Sequence, residues 1–160
     1  MTRDSAVTRA LKKIPYGLYV VGSLNNDVPA VIIANWVTQV SFSPPCVAIA
    51  VEKESKMRRH IDRSGLFCVN ILPSGSTKMA KVFLKGPEAI DATIAGKDFT
   101  RGMNGTPFLK DASASFECRV LTSVQTGDHV LFVGTVVDGA VPQEGEDVLT
   151  LRETGWKYSK

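Results

Sequence analysis

The sequence predicts a small, mainly antiparallel β domain with a few peripheral helices. Three observations carry this reading. Short segments rich in β-branched residues follow one another at hairpin spacing, too close for a crossover helix. Turn chemistry separates them, as at Asn25-Asn26-Asp27 and Ser43-Pro44-Pro45. The chain has 160 residues, 44% hydrophobic and 22% charged, which suits one globular domain covering the whole length. Seven or so strands with two or three helices fit a closed or partly closed barrel better than an open α/β sheet.

The elements follow in order. Ser5 N-caps a helix through Ile14, whose residues Ala6, Val7, Ala10, Leu11 and Ile14 form one apolar stripe and which Pro15 stops. Strands are predicted over 18–22, 28–34, 37–42 and 46–51. Glu54-Ser55 opens a second helix through Ser64, with Gly65 at its C-terminal stop, and a strand over 66–72 follows. A short helix is expected over 77–84. From Lys85 to Asp111 six Gly and Pro residues break the pattern, giving the longest irregular stretch, a kind of segment that often carries function. Long strands over 114–124 and 129–137 flank the tight turn Gln125-Thr126-Gly127-Asp128. A strand over 148–152 and the aromatic tail Trp156-Lys157-Tyr158 close the chain.

Composition excludes several partners. Nineteen Lys and Arg against 16 Asp and Glu leave a formal charge of +3, and the densest basic stretch, 56–63, contains Asp62 and reads as a helix, so nucleic acid is not expected. No apolar run reaches membrane-spanning length, and the N-terminal stretch lacks the apolar core of a signal peptide, so the expected location is the cytoplasm with no membrane partner. Cys46, Cys68 and Cys118 are far apart among apolar neighbours and read as buried reduced thiols. Asn104-Gly105-Thr106 reads as a turn. There is no Gly-x-Gly-x-x-Gly; Gly96-Lys97 is followed by Asp98, where a P-loop needs Ser or Thr; and His60 and His129 are too few for a zinc site. No metal is expected, and whatever chemistry the chain performs would need a borrowed cofactor.

Two stretches carry chemistry. Residues 34–45 alternate like a strand yet gather Asn35, Thr38, Gln39 and Ser41, more hydrogen-bonding capacity than a core strand requires, although a surface strand supplies the same groups. Ten residues on, Ser55 caps a helix between Lys53 and Lys56. A helix N-terminus with a hydroxyl and an ammonium makes a phosphate site, and equally makes a plain cap flanked by solvated charges.

Five stretches in register resemble the flavin reductase-like family. They are Ala10-Leu11-Lys12-Lys13-Ile14-Pro15-Tyr16-Gly17-Leu18, the 35–45 segment ending in Ser-x-x-Pro-Pro, the Ser55-Lys56 helix start, Phe67-Cys68-Val69-Asn70-Ile71-Leu72, and Gly127-Asp128-His129-Val130-Leu131-Phe132-Val133-Gly134. The likeness covers nearly the whole chain and is greatest to the small FMN-binding members of the flavoredoxin type and to the flavin reductase module of cyanobacterial flavodiiron proteins. It implies a six-stranded Greek-key split β-barrel, the FMN-binding split barrel, working as a homodimer with FMN, or FAD in some members, near the subunit interface. Asn35, Trp36, Val37, Thr38, Gln39 and Ser41 would then line the flavin, and Lys53, Ser55 and Lys56 would hold its phosphate. Phe83 and Trp156 would lie near the ring, Trp156 being equally readable as a C-terminal anchor. His129 falls in the Gly-Asp-His motif beside the nicotinamide, where it would be catalytic, although a strand-start histidine satisfying a local hydrogen bond has the same sequence.

The activity implied is NAD(P)H-dependent flavin reduction, with hydride passing from NADH or NADPH to flavin N5 and on to an acceptor. Trp36 is bulkier than the residue often found there and would either stack near the ring or narrow the space for nicotinamide. A second expectation is a non-catalytic FMN electron-transfer protein reduced by a redox partner protein. A third is a cofactor-free barrel that binds a small ligand or a protein.

Overall fold

A computed structural model describes residues 5–145 and 147–157. Helix α1 (Ala6–Leu11) leads to β1 (Tyr19–Asn25), β2 (Val28–Ala34), β3 (Val37–Phe42) and β4 (Pro45–Glu52). Helix α2 (Lys56–Ser64) and β5 (Leu66–Ile71) follow, then α3 (Thr77–Lys81) and four short strands, β6 (Ala89–Ile90), β7 (Thr93–Ile94), β8 (Lys97–Arg101) and β9 (Pro107–Leu109). The long hairpin β10 (Ala114–Gln125) and β11 (His129–Ala140) precedes α4 (Leu151–Thr154). Tyr158, the last residue of the aromatic tail, lies outside the described residues.

Seven strands form one antiparallel sheet in the order β2-β1-β5-β10-β11-β4-β3, one strand more than the six the resemblance implies. Its edges, β2 and β3, are consecutive in the chain and joined by two residues, Asn35 and Trp36. The sheet therefore curls until its edges nearly meet, leaving a seam where no ladder closes it. This is the split barrel that the motifs imply.

Local chemistry explains the elements. Asn26 and Asp27, both at positive φ, make a two-residue turn that sets Asn25 opposite Val28. Helix α2 starts at Ser55, whose hydroxyl accepts the Arg58 N–H, and ends at Gly65, whose φ of 68° is the left-handed conformation that glycine adopts without cost. Val20 and Val21, adjacent on β1, point to opposite faces and enter two different cores. The first, inside the curled sheet, joins Val21, Ile49, Phe67, Val69 and Phe132 to Met57 and Ile61 of α2. Gly134 admits the Phe67 ring there, since a Cβ would lie 2.7 Å from it. The second packs Val20, Leu72, Phe83, Ile94 and Leu109 under α3 and the small sheet.

Three expectations are corrected. Helix α1 ends at Leu11, its last turn tightening as Lys13 and Ile14 donate to Ala10 and Leu11, and its stripe stays open, with Val7 51% and Leu11 45% exposed. The expected irregular stretch is the four-stranded meander β6-β7-β8-β9, whose strands are too short for a visible period and whose turns rest on Asp91, Ala95 and Gly96 at positive φ. The predicted strand at 148–152 supplies only single bridges, Val148 to Pro73 and Thr150 to Gly17, because Thr150 caps α4.

Two buried polar groups fasten the small sheet to the large one. The Asn70 amide donates to the carbonyls of Val20 (3.2 Å) and Pro107 (3.1 Å) and accepts from Leu109 N (2.8 Å) and Ser115 Oγ (2.7 Å). The fully buried Glu117 carboxylate accepts from Asn104 N (2.8 Å), Asn104 Nδ2 (2.7 Å) and Thr106 N (3.1 Å), which folds Asn104-Gly105-Thr106 into the expected turn. Asn70→Ala removes the acceptor of the Leu109 N–H and of the Ser115 hydroxyl and a donor to two carbonyls, of which Pro107 keeps the Cys68 thiol, so it should cost about 3 kcal/mol, read as a lower urea midpoint at unchanged slope. All three cysteines are buried and unbridged, and burial pushes the Cys68 and Cys118 thiols each up to about 12. Neither should react with a thiol reagent at neutral pH until the protein is denatured, which peptide mapping of the labelled protein checks.

Candidate functional site

The seam opens into a cleft of about 530 Å³. One wall is the end of β2, Ile32, Ile33 and Ala34, running into the corner Asn35-Trp36. The facing wall is the end of β4, Ala50, Val51 and Glu52, with Ser55 at the start of α2 and His129 at the start of β11. Leu18, Leu84, Leu151, Trp156 and Lys157 complete it. Strand register explains the convergence, because His129 pairs with Glu52 and the Trp36 carbonyl accepts the Ala50 N–H at 3.0 Å.

His129 is held from three sides. Thr126 N (3.0 Å) and Oγ1 (2.9 Å) both donate to its carbonyl and close the hairpin turn. Its Nδ1 lies 2.6 Å from Asp128 Oδ1, leaving Nε2 as the ring nitrogen not engaged by that carboxylate. The Trp36 ring sits 4.6 Å from the imidazole, centroid to centroid, tilted by 53°. The Lys53 N–H donates to the Asp128 carbonyl (3.0 Å), tying this turn to the approach to α2.

On the same wall as His129, the Ser55 hydroxyl donates to the carbonyl of Glu52, the residue paired with His129 (2.7 Å), while accepting the Arg58 N–H (3.1 Å). That hydroxyl proton is already committed, and the N–H groups of Lys56 and Met57 behind it have no acceptor within the helix, so what α2 brings to the cleft, whose wall it joins through Ser55, is the positive end of its dipole. That partial charge favours an anion. Among the described residues, Glu52 is the acidic group in the cleft wall and Lys157 the lysine. Aliphatic and indole walls with a helix N-terminus at one end fit a flat ring carrying a phosphate.

Of the residues singled out in the sequence, the structure brings Asn35, Trp36, Ser55, His129 and Trp156 together in this cleft. The others lie elsewhere. Val37 turns inward against the first core. Thr38, Gln39 and Ser41 sit on the open edge β3, where Thr38 Oγ1 donates to the Gln39 carbonyl (3.3 Å) and Gln39 Nε2 to the Ser41 carbonyl (3.0 Å). Lys53 and Lys56 flank Ser55 in the chain but form no part of the cleft wall. Phe83 is fully buried in the second core, because α3 turns it inward and presents Leu84, 56% exposed, to the cleft instead. Ile32, Ala50 and Leu151 were missed since an apolar residue at a strand end reads as core; the half-exposed Leu84, following a helix, gave the available signal.

An open antiparallel barrel with an apolar cleft at its seam defines the split-barrel class of ligand-binding domains. The description "flavin reductase like domain" matches residues 11–157, and the chain belongs to that family. The diflavin flavoprotein A 1 of Synechocystis sp. is 33% identical over 158 residues, covering 97% of this chain and 27% of the relative, so the chain spans about a quarter of that protein's length. Among solved structures, the flavin reductase PheA2 in its native state is 30% identical with a TM-score of 0.77, covering 92% of each chain. The Streptomyces globisporus NADH:FAD oxidoreductase SgcE6, in complex with NAD and FAD fragments, is 26% identical with a TM-score of 0.78, covering 92% of this chain and 87% of that one.

Proposed function

We propose that this chain is an NAD(P)H-dependent flavin reductase that holds FMN in the seam cleft and acts as a homodimer in the cytoplasm. The observation that carries the reading is the convergence, on one cleft, of the Asn35-Trp36 corner, His129 and the N-terminus of α2. Flavin, when bound, supplies the redox chemistry, taking hydride at N5 from a nicotinamide and passing electrons to an acceptor. The protein's task is placement. The positive end of α2 attracts the phosphate, the aliphatic walls exclude water from the ring, and His129 Nε2, fixed by the Asp128 contact, is the polar group offered to a donor stacked on the ring. NAD as a ligand of SgcE6, and FAD alongside it, support this class of donor and cofactor.

The homodimer accounts for β3. Its polar residues Thr38, Gln39 and Ser41 are expected at the flavin yet stand on an open edge beside Val40, 51% exposed, and Phe42, 91% exposed. A second copy covering this edge would bury those apolar side chains and complete the flavin's surroundings from the neighbouring subunit.

A second reading rests on Trp36. Its ring lies against His129, and an indole there would narrow the space left for a nicotinamide, which suits an FMN electron carrier reduced by a partner protein. Anaerobic addition of NADH and then NADPH, followed at the visible flavin band, decides between them. Rapid bleaching by either donor is the expected result; a bound flavin that persists with both establishes the carrier, and absence of saturable FMN binding overturns both.

Ser55 separates an anion site from a plain cap. Ser55→Ala removes the cap and should cost about 1 kcal/mol of stability. Ser55→Asp keeps the acceptor for the Arg58 N–H, though not the donation to the Glu52 carbonyl, and sets a negative charge where the phosphate goes, so FMN affinity should fall by about tenfold or more beyond any fall seen in Ser55→Ala. Unchanged FMN affinity in the aspartate variant would reduce Ser55 to a cap.

A further inference from the structure

Helix α2 is seated by three buried residues, Met57, His60 and Ile61, which helical spacing places on one face. Met57 and Ile61 join the first core, yet the residue beside them is an imidazole, only 7% exposed. Its Nδ1 is buried and has no hydrogen-bond partner among the described residues. Its Nε2 lies 3.8 Å from Glu88 Oε1, beyond hydrogen-bonding reach. Glu88 belongs to the connector between α3 and β6, accepts from Asn25 Nδ2 (3.1 Å) and bridges Ala30 of β2. His60 thus faces the β1–β2 hairpin across from a carboxylate that it does not quite reach.

A proton on this ring has little to offset it. Lys56, Arg59 and Arg63, on its own helix, act on it with the same sign, and Glu88, 40% exposed, is the carboxylate that acts against them. Of the strands under α2, β1, β2 and β5 contain no charged residue and β4 only Glu52, at the Ser55 end of the helix. The other titratable groups on those strands are the Tyr19 phenol and the Cys46 and Cys68 thiols. Burial above all lowers the His60 pKa below the ordinary histidine value; Glu88 opposes the shift and the three cations add to it. The unfolded chain therefore binds this proton more readily than the folded one. The resulting contribution to stability is fully present above the ordinary histidine value and is lost as the pH drops from there toward the folded pKa.

The helix that loosens also borders the seam cleft. Ser55 caps α2 and lines the cleft, and His60 follows on the same helix, about 7.5 Å further along its axis. We propose that His60 is a pH-sensitive latch, whose protonation loosens α2 from the β1–β2 hairpin and weakens the hold of the cleft on an anion. The effect on the cleft rests on the reading of that cleft as a phosphate site, whereas the loosening of the helix does not.

The test compares wild type with His60→Gln, whose side chain stays neutral, and with Glu88→Gln, which keeps an acceptor for Asn25 and removes the opposing charge. Urea midpoints of the full chain are read at about pH 8 and about pH 5.5, a window in which histidine titrates and ordinary carboxylates stay ionised. The wild-type midpoint should fall on acidification, that of His60→Gln should fall less, and that of Glu88→Gln should fall more. FMN affinity should drop about threefold further in wild type than in His60→Gln, since ionisation of the FMN phosphate is common to both and cancels. Should a variant fail to fold, the His60 ring-proton resonance of wild type, followed by NMR, carries the test, and it should titrate below the ordinary histidine value. An equal midpoint loss in wild type and His60→Gln, a wild type more stable at the acidic pH, or a His60 resonance that titrates at or above the ordinary value overturns the latch. So does an FMN affinity that responds to pH equally in both proteins. Where no FMN binds at either pH, the flavin reading fails, and a midpoint loss that depends on His60 still supports the latch.

Discussion

The two residues between β2 and β3 constrain everything else in the fold. Seven strands at the usual spacing would put the edges of a flat sheet about 29 Å apart. Yet the chain passes from Ala34 at one edge to Val37 at the other, a step of at most about 10 Å. The sheet must therefore curl into a barrel at that end, and Asn35 and Trp36 must sit where it fails to close. Because strand pairing stops there, the backbone leaves a cleft, and the ends of β1, β4 and β11 are carried to the same place by register alone. The site is a consequence of how the edges meet.

Such a seam is useful only if the rest of the barrel resists slipping. Slippage by one residue would exchange Val20 for Val21 and swap the two cores. Asn70 opposes this, since its amide is saturated by four partners from β1, β9 and β10 in the observed register. Glu117 does the same for the loop before β9. Both are expensive to leave unsatisfied, so each penalises alternative registers more than it adds to the native one. The two bulges between β10 and β11 increase the local twist that the curl needs.

The sequence made legible what local chemistry decides. Ser55 and Gly65 mark α2 because a capping hydroxyl and a left-handed glycine act over three or four residues. The β1–β2 hairpin follows from the Asn26-Asp27 turn for the same reason. Ser55, His129 and Trp36 were readable as site residues through their motifs, but their meeting depends on register between strands far apart in the chain. Phe83 shows the limit most clearly. A one-residue change of phase in the turn after α3 decides whether Phe83 or Leu84 faces the cleft, and composition does not encode that phase. The meander β6 to β9 escaped notice because strands of two or three residues have no period to read.

The chain's ends bear on selectivity more than the barrel does. The segment 148–157 covers the seam, yet it is held by backbone contacts to Tyr16, Leu18 and Leu72 and by the Thr150 cap, none of which depends on the side chains it presents. The exposed Arg152 and Lys157 can therefore vary without disturbing the fold, whereas Leu151 and Trp156 also pack against the second core. At Trp36 the carbonyl accepts the Ala50 N–H, so the backbone of the corner is held apart from the contact of its indole with His129. The barrel fixes where a flat ring can lie. The shape of the remaining cleft wall falls in part to side chains whose backbones are pinned independently of them.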